Sequence, residues 1–179
     1  MDGKIREMKK LLVLPVLLLA LLVASPATYA GRNYGKQDFS EHNRYLKGWY
    51  SYNKGDYEAA LKIWEPLAEK GLTSAQVILG KMYAKGQGVP QDYKTAVKWY
   101  KLAAERGYAD AQSKLGAMHA KGQGVPQDYV RAHMWWSISA LQGYGDAKKN
   151  RNIVEEKMSP AQLETARKLA REWMEKHGK

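Results

Sequence analysis

The chain has 179 residues, a formal net charge of +11 and no cysteine. Without thiols there is no disulfide, no thiolate metal site, no cysteine nucleophile and no lipid-modified cysteine. The length suits one domain with a continuous core, and helix packing rather than cross-linking must hold it.

Residues 1–30 read as an export signal. Lys9 and Lys10 precede Leu11 to Ala24, an uncharged apolar run, and small residues place cleavage after Ala30. The alternative, an uncleaved anchor, is weaker because the run is shorter than the ~20 residues a span needs and contains Pro15. The expected location is therefore periplasmic or secreted, with no lipobox cysteine and no stable membrane span once the signal is removed. Cleavage removes four cations and two anions and takes the charge from +11 to +9. Residues 31–39 read as a flexible polar tail.

The ten residues from Ala84 to Tyr93 recur letter for letter from Ala120 to Tyr129, 36 positions later. A fixed period of this size marks a stacked-repeat architecture. In each copy two glycines, Gly86 and Gly88 or Gly122 and Gly124, free the backbone, and Pro90 or Pro126 disfavours helix for the valine before it. Asp92 and Asp128 then stand where a side-chain oxygen can cap a new helix. After Asp92, Tyr93, Ala96, Val97, Tyr100 and Ala103 share one face and Gly107 closes the helix; the copy after Asp128 closes at Gly143. Upstream, Ala75, Leu79, Met82 and Tyr83 form a stripe matched by Ala111, Leu115, Met118 and His119. Each unit is thus helix A, a Gly-rich loop, helix B and a tight turn, and stacking must complete its core. The matched small residues Gly80 with Gly116 and Ala96 with Ala132 are expected to let helix backbones approach closely.

The succession Leu79, Gly80, Tyr83, Gly86, Gly88, Asp92, Ala96, Trp99, Tyr100, Ala103, Ala104 and Gly107 resembles the Sel-1-like repeat, a branch of the tetratricopeptide superfamily. The first unit has a loop four residues shorter, with helix B from Asp56 to Glu69 closed by Gly71; the third has His119 for tyrosine and Trp135-Trp136 for Trp-Tyr. The resemblance implies an all-α fold, a right-handed α/α solenoid of stacked helix-turn-helix repeats, here over 40–72, 73–108 and 109–145. Capping helices follow over 146–179. Asp146 to Met158 is a charged helix candidate, and Ser159-Pro160-Ala161-Gln162 opens the next as a capping box. That last helix, up to His177, has the two-sided composition of an end cap; a membrane-surface helix is the alternative.

Little points to chemistry, and no catalytic residue, metal site or cofactor is expected. His42, His119, His133 and His177 lie far apart without the spacing of a helix-borne zinc site. His119 suits packing, whereas His133 reads as a groove residue or merely exposed. Gly86 and Gly88 lack the Gly-Lys-Ser/Thr of a phosphate loop. Ser51-Tyr-Asn-Lys54 fits the Ser-x-x-Lys pattern of penicillin-binding enzymes, but Ser51 falls near a helix end in a small helical chain. A cell-wall or β-lactam-acting enzyme is the least favoured function.

The resemblance implies that A helices line a concave groove where peptide segments or partner proteins lie. Trp49, Tyr52, Lys81, Lys85, Lys114 and Lys121 would make that groove basic, with aromatic anchors. Trp99 and Trp135 match a repeat position and are assigned to structure; Trp49 and Trp136 are less constrained. The expected function is a non-catalytic scaffold of the bacterial envelope that binds a partner protein or peptide, the alternative a binder of acidic polysaccharide or another envelope polyanion. The export signal removes the chain from nucleic acid, so no nucleic-acid partner is expected.

Overall fold

The structure, a computed structural model, describes residues 36–177. The expected export signal and residues 31–35 of the tail lie outside them. The chain divides into two compact units, Met1–His42 and Asn43–Lys179, and of the first only the opening of one helix is described.

Eight helices and no strand occur among the described residues: α1 Lys36–Asn53, α2 Tyr57–Glu69, α3 Thr73–Lys85, α4 Tyr93–Glu105, α5 Ala109–Lys121, α6 Tyr129–Leu141, α7 Ala147–Glu155 and α8 Pro160–His177. Helix α1 starts at Lys36, so the segment expected as tail is helical from there on. Between Gly35 and Gly48 the sequence has no glycine or proline to stop it.

The helices pair as α1/α2, α3/α4 and α5/α6, and the starts and stops follow the expected chemistry. Asp56, Asp92 and Asp128 each accept from a first-turn amide: Ala59 N at 3.1 Å, Lys94 N at 2.9 Å and Arg131 N at 2.9 Å. These aspartates satisfy donors that a helix start leaves without partners. The two Gly-rich loops have the same internal bonds. Gln91 Nε2 donates to the Ala84 carbonyl at 2.8 Å, and Gln127 Nε2 to that of Ala120 at 2.9 Å.

Each seam between repeats uses matched residues. Gly88 has φ +75°, and a Cβ on it would stand 2.7 Å from the Tyr57 carbonyl carbon; Gly124, at φ +73°, lies equally close to Tyr93 and Lys94. Each loop therefore rests on the start of the preceding helix B, and only glycine fits. Gln76 Nε2, buried, donates to the Ala68 carbonyl at 3.0 Å, and its counterpart Gln112 donates to Ala104 at 3.2 Å. Two glutamines thus add a second donor, from the next repeat, to carbonyls that already accept from Gly71 N at 2.9 Å and Gly107 N at 3.0 Å.

Within each hairpin a helix-A glycine receives an aromatic ring. A Cβ on Gly80 would lie 2.6 Å from the Tyr100 ring, and one on Gly116 3.0 Å from Trp136; Gly48 faces Trp64 in the same way. These glycines make room for rings, which corrects the expectation that they bring helix backbones together. Trp64 and Trp136 each donate Nε1 to a helix-A carbonyl at 3.1 Å, Tyr45 O and Ser113 O respectively.

After the third hairpin, α7 packs on α6 through Ala147 and Val154, beside Ala132 and Trp136. The capping box opens α8 as expected: Ser159 N donates to Gln162 Oε1 at 2.9 Å, and Gln162 N to Ser159 Oγ at 3.3 Å. Helix α8 buries Ala166 and Ala170 and sets Trp173 edge-on to Trp135, with ring centroids 5.8 Å apart.

Candidate interaction surface

Aligning Gly48, Gly80 and Gly116 puts Trp49, Lys81 and Ala117 at one repeat position, Lys85 and Lys121 at another, and Ile78 with Lys114 at a third. The expected groove residues are therefore not one regular row. The structure brings three of them together. Trp49 and Tyr52 meet edge to face with centroids 5.6 Å apart, and the Lys81 ammonium lies 5.3 Å above the Tyr52 ring. Trp49 also meets Trp64 at 5.7 Å, and the Tyr52 hydroxyl donates to Gln87 Oε1 of the next repeat's loop at 2.9 Å. Both rings are half-buried; each ties the first repeat together while keeping an edge in solvent.

The other three lysines are exposed and differ in their partners. Lys114 lies 3.8 Å from Asp110, which also accepts from the Tyr144 hydroxyl. Burial, followed by that carboxylate, pushes the Tyr144 hydroxyl up to about 12. Lys85 and Lys121, each in the last turn of its A helix, have no anionic partner among the described residues. Nearby, Asp92 is held below the usual carboxylate range, chiefly because it accepts from the Thr95 hydroxyl and amide.

Two sequence readings are corrected. Trp136 is not a free surface residue: it is 5% exposed, seated on Gly116. His133 is neither in a groove nor exposed but buried, with Nε2 2.7 Å from Glu155 Oε1 and Nδ1 3.3 Å from Ser137 Oγ. Sequence reasoning misjudged it because Ala132 through Trp136 are all buried, so α6 has no polar face there from which to place a histidine. His119 is buried, as packing required, and burial pulls its imidazole down. The Lys54 ammonium lies over the Tyr50 ring at 4.4 Å. Among the described residues no three His, Asp or Glu side chains are placed to hold a metal ion, and no helix is long and apolar enough to cross a membrane.

Stacked A/B hairpins that bury matched alanines and aromatics define an α-solenoid of tetratricopeptide type. Residues 43–72, 73–108 and 109–144 each match the Sel1 repeat, and the chain belongs to that family. Its fold is similar to that of c5321, a protective antigen present in uropathogenic Escherichia coli strains and displaying an SLR fold. The identity is 30%, the TM-score 0.72, and the match covers 76% of this chain and 30% of that one. It is also similar to a Sel1 repeat protein from Oxalobacter formigenes, at 31% identity and a TM-score of 0.59, over 72% of this chain and 55% of that one. The chain thus spans about a third and about half of these two proteins. No curated protein matches it. Sel1-repeat proteins are in general protein-interaction scaffolds without catalysis of their own.

Proposed function

We propose that the chain is a non-catalytic interaction module of the bacterial cell envelope that holds a partner protein or peptide along the concave groove of its A helices. The observation that carries this reading is the pair Lys85 and Lys121. They stand at matched positions on successive repeats, exposed and without an intramolecular anion. Trp49, Tyr52 and Lys81 add an aromatic and cationic anchor on the first repeat. Anchors of this composition bury large area and pair with carboxylates. The amino-terminal signal supports an exported setting, as does the description of a protein of the same fold as a protective antigen. Crosslinking from the envelope should recover a partner that is lost when Lys81, Lys85, Lys114 and Lys121 are reversed to glutamate. Recovery unchanged by the reversal contradicts the groove.

The charge of +9 left after signal removal favours a second reading, recognition of an acidic polysaccharide. Salt separates the two. Polyanion binding falls steeply as salt rises, whereas a groove that closes on apolar side chains responds mildly.

A further inference from the structure

We propose that α7 is the first helix of a fourth, truncated repeat, latched to α6 by a buried imidazole bonded to a half-buried carboxylate, and that acidification releases the latch. The 36-residue register runs past the third hairpin. Ala75, Ala111 and Ala147 are matched and fully buried, and so are Met82, Met118 and Val154, at most 5% exposed. The turn is shared as well: Tyr144 N donates to Ser139 O at 3.3 Å as Tyr108 N does to Ala103 O at 3.1 Å. Beyond Glu155 the Gly-rich loop is absent and the capping box of α8 follows.

What changes is the chemistry of the seam. In the two internal seams the matched helix-B residue is Leu61 or Val97, packed in the same apolar clusters as Leu79 or Leu115. In the last seam that residue is His133, Arg151 stands in the leucine position and Glu155 in that of Tyr83 and His119. The Nε2–H of His133 donates to Glu155 Oε1 at 2.7 Å, the Ser137 hydroxyl lies 3.3 Å from Nδ1, and Arg151 Nε lies 3.5 Å from the same carboxylate oxygen. The ring is 1% exposed. A second proton on the ring, which is itself buried although Glu155 keeps an edge in solvent, would require Ser137 to turn from donor to acceptor.

The charged groups acting on the ring are Glu155 and Arg151 of α7 and Arg167 of α8. Burial dominates and holds the imidazole below its ordinary value; Glu155 opposes this, and the two arginines reinforce it. Because the detached, solvated imidazole binds a proton more readily than the buried one, the latch is intact above about pH 6.5 and weakens as pH falls below it. The Glu155 carboxyl is held low, chiefly by its bond to His133, so its contribution is present above its ordinary value and lost as pH falls through its folded one. Both groups act in the same direction. Release uncovers Ala132 and Trp136 at the end of the third repeat.

The test is an NMR titration of the His133 ring together with amide exchange of α7 and α3, corrected for the intrinsic effect of pH. We expect the ring to titrate below ~6.5 and α7 exchange to accelerate relative to α3 between pH 7.5 and 5, by about tenfold for each unit of displacement. His133→Leu, which installs the residue of the matched first-repeat position, abolishes that acceleration. Glu155→Gln keeps an acceptor but removes the charge that favours the imidazolium, and enlarges it. A ring that titrates at or above 6.5, α7 exchange that tracks α3 at every pH, or an acceleration that survives His133→Leu overturns the latch. The wild-type titration decides independently of how well either variant folds.

Discussion

Two seams of the same stack show what a repeat can and cannot vary. Between the second and third repeats, Val97, Leu115 and Met118 share one apolar cluster, and Gln112 spans to the Ala104 carbonyl. Between the third repeat and α7 the backbone register is kept, but the matched places hold His133, Arg151 and Val154, and exposed Lys148 replaces the glutamine. Apolar burial is non-directional and can be repeated at every seam, whereas a buried polar cluster is held only while each hydrogen bond is made. The internal seams are built to be extended and the last one to end the stack.

The comparison is broken most severely at the loops. Gly124→Val should lower stability by more than ~3 kcal/mol, because it combines positive φ with a collision against the backbone of Tyr93 and Lys94. Gly107→Ala, at φ +86° with nothing within 4 Å, should cost only ~1–2 kcal/mol. Urea midpoints check both, and equal losses would mean that the loops do not rest on the preceding helix. A smaller effect sharpens the contrast between the seams. Gln112→Leu removes one donor from the Ala104 carbonyl, which keeps the Gly107 amide at 3.0 Å, and takes the acceptor from Gln142 Nε2, so it should cost about 1 kcal/mol, while Lys148→Leu at the matched place on α7 should stay within about 0.5 kcal/mol. Smallest of all is the double change Lys85→Glu and Lys121→Glu. It should leave the melting midpoint nearly unmoved, since neither ammonium has an anionic partner among the described residues, yet remove partner binding.

The period, the loop glycines and the aspartate caps were legible in the sequence because each obeys a local backbone rule, and the ten-residue duplication displayed all of them twice. Gln76 and Gln112 were missed, although a signal was there: the same polar residue recurs at the repeat distance next to buried Ala75 and Ala111. The fourth A helix was harder to see. Arg151, Asn152 and Glu155 replace Leu115, Gly116 and His119, so among the positions buried in the third repeat's A helix only Ala147 and Val154 retain the apolar type. Of the expected groove residues, the burial of Trp49 and Tyr52 depends on Trp64 and on the next repeat's Gln87, contacts made across the stack that no stretch of sequence displays.

The most direct measurement of the central claim is native-state hydrogen exchange at neutral pH, resolved by helix. Internal seams centred on apolar Leu61 with Leu79 and Val97 with Leu115, against a last seam centred on His133 and Glu155, require the inner amides of α3 to α6 to open together as the slowest unit, with α7 opening earlier. If α7 exchanges as slowly as α5, or if α3 and α4 open before it, the two seams are energetically alike and the account fails.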